Sequence, residues 1–176
     1  MEKGNKLHVY TGDGKGKTTA SMGLALRMLG YGKPVLVVQF MKQPNSGELK
    51  ALQQLPGAHI HEGAVMNRFT FQMDEEELQR TKQEQTAEVN RIIAEIQRIQ
   101  PALTVLDELA VATAHYLVPQ EDAMRLIDEA LKTGEVVVTG RGASEALMDK
   151  ADYVSIIQAR KHPFDEGLPA RKGIEW

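Results

Sequence analysis

The chain has 176 residues, with 24 acidic side chains against 21 Lys and Arg and no cysteine, so its formal net charge is −3. The lack of cysteine excludes a thiolate nucleophile, an iron–sulfur cluster and a cysteine-based zinc site, and the net negative charge argues against a nucleic-acid-binding surface, which is usually basic. No apolar run approaches the roughly 18–20 residues of a membrane span, and no apolar signal core follows the start. We therefore expect one cytoplasmic domain over residues 1–176. We expect neither a membrane nor a nucleic acid as its partner.

The first third of the chain alternates short apolar runs with helical patterns. Residues 6–11 and 34–40 are predicted strands, and the second contains four consecutive aliphatic residues, as in parallel sheets that are covered on both faces. A helix is predicted over residues 18–29, and the glycines that follow indicate where it ends. A short helix over residues 46–55 and a short strand over residues 59–63 come next.

An alternating stretch over residues 68–72 leads into the longest predicted helix, over residues 74–100. Asp74 and Glu77 form an Asp-x-x-Glu pattern close to a capping box, and a proline ends the helix. The second half of this helix is amphipathic, whereas residues 75–88 are mostly polar and are expected to be exposed. The remaining predicted elements are strands over 103–106, 136–139 and 153–157 and helices over 119–131 and 144–150.

Strands and helices therefore alternate along the whole chain, with no internal repeat, low-complexity tract or long linker. Such alternation predicts an α/β fold with an open, mostly parallel sheet and helices on both faces. Together with the phosphate-binding motif at residues 12–19, this alternation predicts a P-loop NTPase-like (RecA-like) fold.

The strongest motif is the segment Gly12-Asp13-Gly14-Lys15-Gly16-Lys17-Thr18-Thr19, which connects the first predicted strand to the first predicted helix. Glycines let backbone N–H groups converge on a polyphosphate, and the helix N-terminus adds partial positive charge. We expect Lys17 to reach the terminal phosphates of ATP and the Thr18 hydroxyl to bind Mg²⁺. Only three residues separate Gly12 from Gly16, one fewer than usual. Because a shorter loop encloses the phosphates differently, we do not expect the usual geometry of γ-phosphate hydrolysis.

Two carboxylates, Asp107 and Glu108, follow the predicted strand over residues 103–106. An acid at the end of a strand near a phosphate loop can hold Mg²⁺ directly or through water. The alternative is that one of the two caps a helix just beyond the strand. The phosphate loop favours the metal site, with Thr18, Asp107 and Glu108 as its ligands.

Other candidate residues carry weaker signals. Arg141 follows the strand over residues 136–139, at the edge where open α/β sheets bind ligands. Its guanidinium group suits a phosphate. The alternative is that Arg141 is an exposed arginine of a loop with no ligand. Phe69 and Phe71 alternate as core residues of a strand do. Four histidines lack the spacing of metal ligands and are interpreted as structural: His8, His59, His61 and His115.

Taken together, these residues resemble the corrinoid adenosyltransferases of the P-loop type, the cob(I)alamin or cob(I)yrinic acid a,c-diamide adenosyltransferase family. The resemblance covers nearly the whole chain, and the three-residue spacing in the phosphate loop is that family's own pattern. The other matching segments are Val37–Lys42, Val105–Leu109, Val138–Arg141, Ala151–Val154, Lys161–Phe164 and Ala170–Glu175.

The resemblance implies transfer of the 5′-deoxyadenosyl group of ATP to Co(I) of a corrinoid, with release of triphosphate, in cobalamin biosynthesis or salvage. It implies that Lys15, Lys17, Thr18 and Mg²⁺ stabilise the leaving triphosphate. It also implies a homodimer and a flavoprotein as the reductant of cobalt.

Further site residues follow from the same resemblance. Phe69 and Phe71 correspond to an aromatic pair that faces the corrin ring and removes an axial ligand of cobalt, which competes with the interpretation of these residues as core. Arg141, Lys161 and His162 are implied to bind the substrates. Lys161 and His162 lie in a basic, turn-rich tail, which composition alone predicts to be a solvated end.

Two other functions are compatible with the phosphate loop alone. A nucleoside kinase or RecA-like ATPase would release ADP, and a regulatory nucleotide-binding module would bind ATP without turnover. Adenosyl transfer is favoured, because the short loop occurs together with the Lys-His and Ala-Arg-x-Gly-Ile-Glu sequences of the tail.

Overall fold

A computed structural model of the protein describes residues 4–41, 46–61 and 73–174. The strands in these ranges are β1 (Leu7–Thr11), β2 (Val35–Gln39), β3 (Ala58–His61), β4 (Leu103–Asp107), β5 (Glu135–Thr139) and β6 (Tyr153–Ile156). Across the described residues these six strands form one sheet in the order β3-β2-β4-β5-β1-β6, and every pairing is parallel. The predicted parallel sheet is thus confirmed.

The helices within the same ranges connect or follow these strands. They are α1 (Lys17–Gly30), α2 (Gly47–Leu52), α3 (Glu75–Ile99), α4 (Leu109–Ala114), α5 (Gln120–Leu131) and α6 (Glu145–Lys150), and a 3₁₀ helix (Pro163–Glu166) follows β6. The sequence gives no range for α4, which enters only as the alternative that Asp107 or Glu108 caps a helix, and it does not predict the 3₁₀ helix, which is too short to show helical periodicity.

Helices cover both faces of the sheet, as predicted. On β2, Leu36 and Val38 pack with residues of α3 and α5, whereas Val35 and Val37 pack with residues of α1 and α2. All four side chains are buried. The run of aliphatic residues in β2 therefore reflects a strand with apolar neighbours on each side.

The order of the strands brings the candidate site residues to one edge of the sheet. Strand β5 lies between β1 and β4, and all strands point the same way, so their carboxyl ends share an edge. This edge carries Gly12 after β1, Asp107 at the end of β4 and Arg141 beyond β5.

The first turn of α3 follows the prediction. The Asp74 carboxylate accepts a hydrogen bond from the backbone N–H of Glu77 at 2.8 Å, and the backbone N–H of Asp74 donates to the Glu77 carboxylate at 3.3 Å. At the other end, Gln100 adopts a left-handed conformation with φ 53°. The capping box and the helix end are therefore confirmed.

The predicted exposure of residues 75–88 is wrong at two positions. Gln85 and Glu88 are only 6% and 4% exposed. Glu88 is buried because it pairs with His61 of β3 and with Arg91. The contact with His61 joins elements that are distant in sequence, so the polarity of the helix alone does not reveal it.

The last strand, β6, forms one edge of the sheet, and its four residues are exposed.

No helix in the described part of the chain is long and apolar enough to cross a membrane.

Candidate active site

The phosphate loop follows β1 and leads directly into α1, as predicted. Gly12 and Gly16 have φ values of 97° and 118°, in the region that favours glycine, and Gly16 is the N-cap of α1. The chain just beyond β6 supports the loop, since the Gly14 N–H donates to the carbonyl of Ile157 at 2.7 Å and the Ile157 N–H donates to the carbonyl of Thr11 at 2.8 Å. A Cβ atom on Gly12 would lie 2.4 Å from the Ile157 carbonyl oxygen, so a side chain does not fit there.

Gly12→Ala is expected to lower the free energy of unfolding by about 2–5 kcal/mol, because backbone strain at positive φ adds to the clash with Ile157. Chemical denaturation measures the difference. Gly23→Ala is the control, because Gly23 lies in α1 with no heavy atom within 4 Å of a Cβ added there. Alanine at that position is expected to stabilise the helix by about 0.5–1 kcal/mol. An unchanged unfolding midpoint for Gly12→Ala would contradict the close approach.

The side chain of Lys17 turns back into the phosphate loop. Its Nζ donates to the carbonyl of Gly12 at 2.6 Å and to that of Gly14 at 2.8 Å. The residue is only 8% exposed. These two carbonyls hold the ammonium group within the loop, where the phosphates of a nucleotide bound there would meet it.

The electrostatic surroundings of Lys17 favour an anion. Burial lowers the pKa of the Lys17 ammonium and the positive charge of Arg141 lowers it further, whereas Glu108 and Asp13 act in the opposite direction. A polyphosphate in the loop would add negative charge next to the ammonium and raise the pKa again. The charged form of Lys17 is therefore stabilised by the ligand that the loop is built to bind.

Asp107, at the end of β4, connects three neighbouring elements. Its Oδ1 accepts hydrogen bonds from Thr18 Oγ1 at 2.8 Å and from Thr139 Oγ1 at 2.6 Å, and its Oδ2 accepts one from Gln39 Nε2 at 3.1 Å. The residue is completely buried. The donors belong to α1, β5 and β2, so this carboxylate fixes the start of α1 relative to the strand ends. Gln39 and Thr139 are site residues that the sequence does not predict.

Glu108 follows β4 as the N-cap residue of α4, with a left-handed φ of 62°. Its backbone N–H donates to Thr139 Oγ1 at 3.0 Å, but its side chain makes no capping hydrogen bond. The side chain lines the same cavity as the phosphate loop. The helix-cap alternative is thus correct for the position of Glu108 and wrong for its carboxylate.

The contact between Thr18 and Asp107 supplies the oxygen donors that Mg²⁺ prefers, a hydroxyl and a carboxylate 2.8 Å apart. Over the described residues, no group of three or more His, Cys, Asp or Glu side chains is arranged to hold a metal ion. Mg²⁺ needs only one or two carboxylates when substrate phosphates and water complete its coordination. The donors therefore fit a Mg²⁺ ion that binds together with a nucleotide.

A cavity of about 590 Å³ opens on the phosphate loop. The segment 13–19 lines it together with Glu108, Arg141 and His162, so the structure brings these predicted residues to one place. Its volume lies in the usual range for small-molecule sites. Six further residues line the cavity and are not predicted as site residues: Glu48, Val111, Ala114, His115, Gly142 and Ile174.

Other candidate residues lie elsewhere or outside the described ranges. Lys161 is exposed and is not brought to the wall of this cavity, whereas its neighbour His162 accepts a hydrogen bond through Nδ1 from the backbone N–H of Phe164 at 3.2 Å. Phe69 and Phe71 lie outside the described residues.

Two of the four histidines that are predicted to be structural, His8 and His115, have different surroundings. His8 Nε2 lies 3.0 Å from a carboxylate oxygen of Glu135, and its ring stacks on that of Tyr153, which agrees with a structural role. His115 instead lines the cavity, because the chain turns there at the end of α4.

The fold is similar to that of the KaiC-like protein PH0186 from Pyrococcus horikoshii OT3. The TM-score is 0.59 at 14% sequence identity, and the match covers 90% of this chain and 75% of that chain. At this identity the likeness concerns the fold alone, and it agrees with the predicted P-loop NTPase-like (RecA-like) architecture.

Sequence comparisons assign the family. The model of the ATP:corrinoid adenosyltransferase BtuR/CobO/CobP family matches residues 3–176. The chain is 37% identical to the corrinoid adenosyltransferase CobA of Salmonella typhimurium over 183 residues, which covers 100% of this chain and 88% of that protein. It is 36% identical to the corrinoid adenosyltransferase of Escherichia coli K12 over 172 residues (96% and 84%) and 32% identical to that of Pseudomonas aeruginosa over 171 residues (97% and 83%). Because these matches span nearly the full chain, the protein belongs to the ATP:corrinoid adenosyltransferase BtuR/CobO/CobP family.

Proposed function

We propose that this enzyme transfers the 5′-deoxyadenosyl group of ATP to the Co(I) centre of a corrinoid, either cob(I)alamin or cob(I)yrinic acid a,c-diamide, and releases triphosphate in cobalamin biosynthesis or salvage. The observation that carries the proposal is the family match over residues 3–176. The cavity next to the phosphate loop supports it, because that cavity offers backbone N–H groups and cations to a chain of phosphates.

The proposed reaction is a displacement at carbon. An electron pair of Co(I) attacks C5′ of ATP and forms the cobalt–carbon bond, while the C5′–O5′ bond breaks and its electron pair leaves with the triphosphate. Cobalt is formally oxidised from Co(I) to Co(III). The nucleophile belongs to the corrinoid, which agrees with a chain that has no cysteine. The protein is therefore needed to orient the two substrates and to stabilise the leaving group.

We assign the stabilisation of the leaving triphosphate to Lys15, Lys17 and Thr18, because positive charge and hydrogen-bond donors placed where negative charge develops lower the barrier. Phosphate oxygens would take over the Lys17 ammonium from its two carbonyl partners. Thr18, Asp107 and Glu108 are proposed to hold Mg²⁺, which supplies further positive charge to the triphosphate when it is bound.

The proposed function is tested by mixing the enzyme with MgATP and chemically reduced cob(I)alamin and following the visible spectrum. We expect conversion to adenosylcobalamin with release of one triphosphate for each cobalt–carbon bond. A spectrum that does not differ from the enzyme-free control would refute the proposal. Release of ADP would instead support a kinase or ATPase, and ATP binding without turnover would support a regulatory module.

Phe69 and Phe71 are proposed to face the corrin ring and to remove the axial ligand of Co(II), as the family resemblance implies. Phe71→Ala is then expected to spare the reaction that starts from Co(I), in which the ligand is already absent. The same variant is expected to slow the reaction that starts from Co(II) and a reductant by about tenfold or more, or roughly 1.4 kcal/mol in the barrier.

The measurement is the rate of adenosylcobalamin formation from each starting state. Tyr31→Ala is the control, because Tyr31 is an aromatic residue that is 81% exposed at the end of α1. If Phe71→Ala behaves like Tyr31→Ala in both assays, the role of Phe71 is packing.

The remaining proposals concern the rest of the site and the assembly. Arg141, Lys161 and His162 are proposed to bind anionic groups of the substrates. The chain is further proposed to form a single domain over residues 1–176 and to work as a cytoplasmic homodimer with a flavoprotein reductant. Analytical ultracentrifugation tests the assembly, and a monomer at all concentrations and with both substrates bound would exclude the dimer.

A further inference from the structure

The side-chain amide of Gln39, the last residue of β2, is paired through its nitrogen only. Its Nε2 donates a hydrogen bond to Asp107 Oδ2 at 3.1 Å. Its Oε1 is shielded from solvent and has no hydrogen-bond partner among the residues that the structure describes. A carboxylate only accepts hydrogen bonds, so the amide cannot turn round and offer this oxygen to Asp107. The contact with Asp107 therefore leaves the oxygen of Gln39 as a buried acceptor without a donor.

Gln39 lies on the side of the sheet from which the phosphate loop enters α1. Side chains alternate along a strand, so Gln39 shares a face of the sheet with Val35 and Val37, which pack with residues of α1. Asp107 stands opposite Gln39 in the pairing of β2 with β4. The same carboxylate accepts a hydrogen bond from Thr18, near the start of α1, at 2.8 Å. The amide of Gln39 is thus one hydrogen bond away from a carboxylate that is proposed to hold Mg²⁺.

The cost of an unpaired buried oxygen indicates that a further group completes the site. This oxygen has lost its hydrogen bonds to water and has gained none in return, which opposes folding. In folded proteins such an atom is uncommon, and a ligand, an ion or an ordered water is the usual explanation. The phosphates of ATP only accept hydrogen bonds, but Mg²⁺ keeps several of its waters when it binds to phosphates, and water donates. The donors that MgATP would bring next to Asp107 are therefore the waters of its metal ion.

We propose that Gln39 is a positioning residue for the complex of Mg²⁺ with ATP. Its Nε2 holds Asp107, and its Oε1 accepts a hydrogen bond from a water that the metal ion retains. Gln39 thus acts through Asp107 and through this water rather than on the phosphates directly. The inference rests on the proposed function, because it takes MgATP as the ligand of the phosphate loop.

Thr104 of β4 provides the matched comparison. It is completely buried, and its Oγ1 likewise has no hydrogen-bond partner within the described ranges. Because side chains alternate along β4, Thr104 lies on the opposite face of the sheet from Leu103 and Val105, which pack on the side of α1. An unpaired oxygen alone therefore does not indicate a nucleotide site. The position of Gln39 next to Asp107 distinguishes the two oxygens.

The test measures the binding of ATP to the enzyme without corrinoid by isothermal titration calorimetry, once with excess Mg²⁺ and once with a chelator. Gln39→Met keeps the approximate length of the side chain and removes the amide. We expect this variant to bind MgATP about tenfold more weakly than the wild type, and to bind metal-free ATP within about twofold of the wild type. Thr104→Val removes the other unpaired oxygen with little change of shape, and it is expected to match the wild type in both titrations.

The two titrations separate the possible outcomes. No loss of affinity in Gln39→Met, or the same loss with and without Mg²⁺, would overturn the inference, because the oxygen would then serve no group that arrives with the metal. Gln39→Asn keeps the amide but shortens the side chain by one methylene, so it replaces Gln39→Met if that variant does not fold, and it is expected to show the same selective loss. If the wild type binds MgATP but forms no adenosylcobalamin from Co(I), the proposed function fails, whereas a selective loss in Gln39→Met would still support the role of Gln39.

Discussion

Lys17→Ala is expected to lower kcat/KM for ATP by about 10²–10³-fold in the assay that starts from Co(I), because it removes a cation aimed at the charge that develops on the leaving triphosphate. Lys17 is buried, and its Nζ already lies within the phosphate loop, 2.6 Å from the carbonyl of Gly12. No second side chain needs to move to bring this charge to the phosphates. The rate of adenosylcobalamin formation at several ATP concentrations measures the effect.

The control for this variant is Lys33→Ala, because Lys33 is an exposed lysine just before β2. It lies at the amino ends of the strands, whereas the phosphate loop lies at their carboxyl ends. Its replacement is expected to leave kcat/KM unchanged. Inhibition by added triphosphate gives a second readout, which should weaken in Lys17→Ala and not in the control. A Lys17→Ala enzyme with wild-type kinetics would contradict the role of the ammonium group.

The elements of the fold were predictable where their signals are local. The aliphatic run over residues 35–38 predicts a strand buried on both faces, and β2 lies between β3 and β4 with helices on each side. The order of the strands was not predictable, because it depends on pairings such as Val9 with Val138, which join residues far apart in the chain. No local pattern carries that information.

The burial of Glu88 shows the same limit for a single side chain. In the sequence it stands in a polar stretch, which predicts exposure. In the structure Glu88 lies 2.5 Å from His61, so its polarity reflects a partner within the protein rather than contact with water.

The candidate site was predictable to the extent that its residues are contiguous. The phosphate loop forms one segment, so its position between a strand and a helix is visible in the sequence. Gln39, Thr139 and His115 come to the site only after the strands pair and the chain turns beyond β4. An isolated Gln or Thr at the end of a strand has no pattern that distinguishes it from other polar residues.

Asp107→Ala is expected to reduce both stability and activity. The buried carboxylate accepts hydrogen bonds from Thr18, Thr139 and Gln39, and alanine would leave these donors without their acceptor. An unsatisfied buried donor costs about 1–3 kcal/mol, and with partial relaxation we expect the free energy of unfolding to fall by about 2–5 kcal/mol. Chemical denaturation measures this loss.

Asp107→Asn separates the two roles of this residue, because it keeps the size of the side chain and one acceptor oxygen but removes the charge. Its free energy of unfolding is expected to fall by only about 1–2 kcal/mol, while kcat/KM for MgATP still falls by about a hundredfold, since a neutral amide holds Mg²⁺ far less well than a carboxylate. The activity is measured from Co(I), over a range of Mg²⁺ concentrations, at a temperature at which the variant is folded. If Asp107→Asn keeps wild-type activity and the same dependence on Mg²⁺, the charge of Asp107 has no part in metal binding, and the residue serves only to join α1 to the ends of β2, β4 and β5.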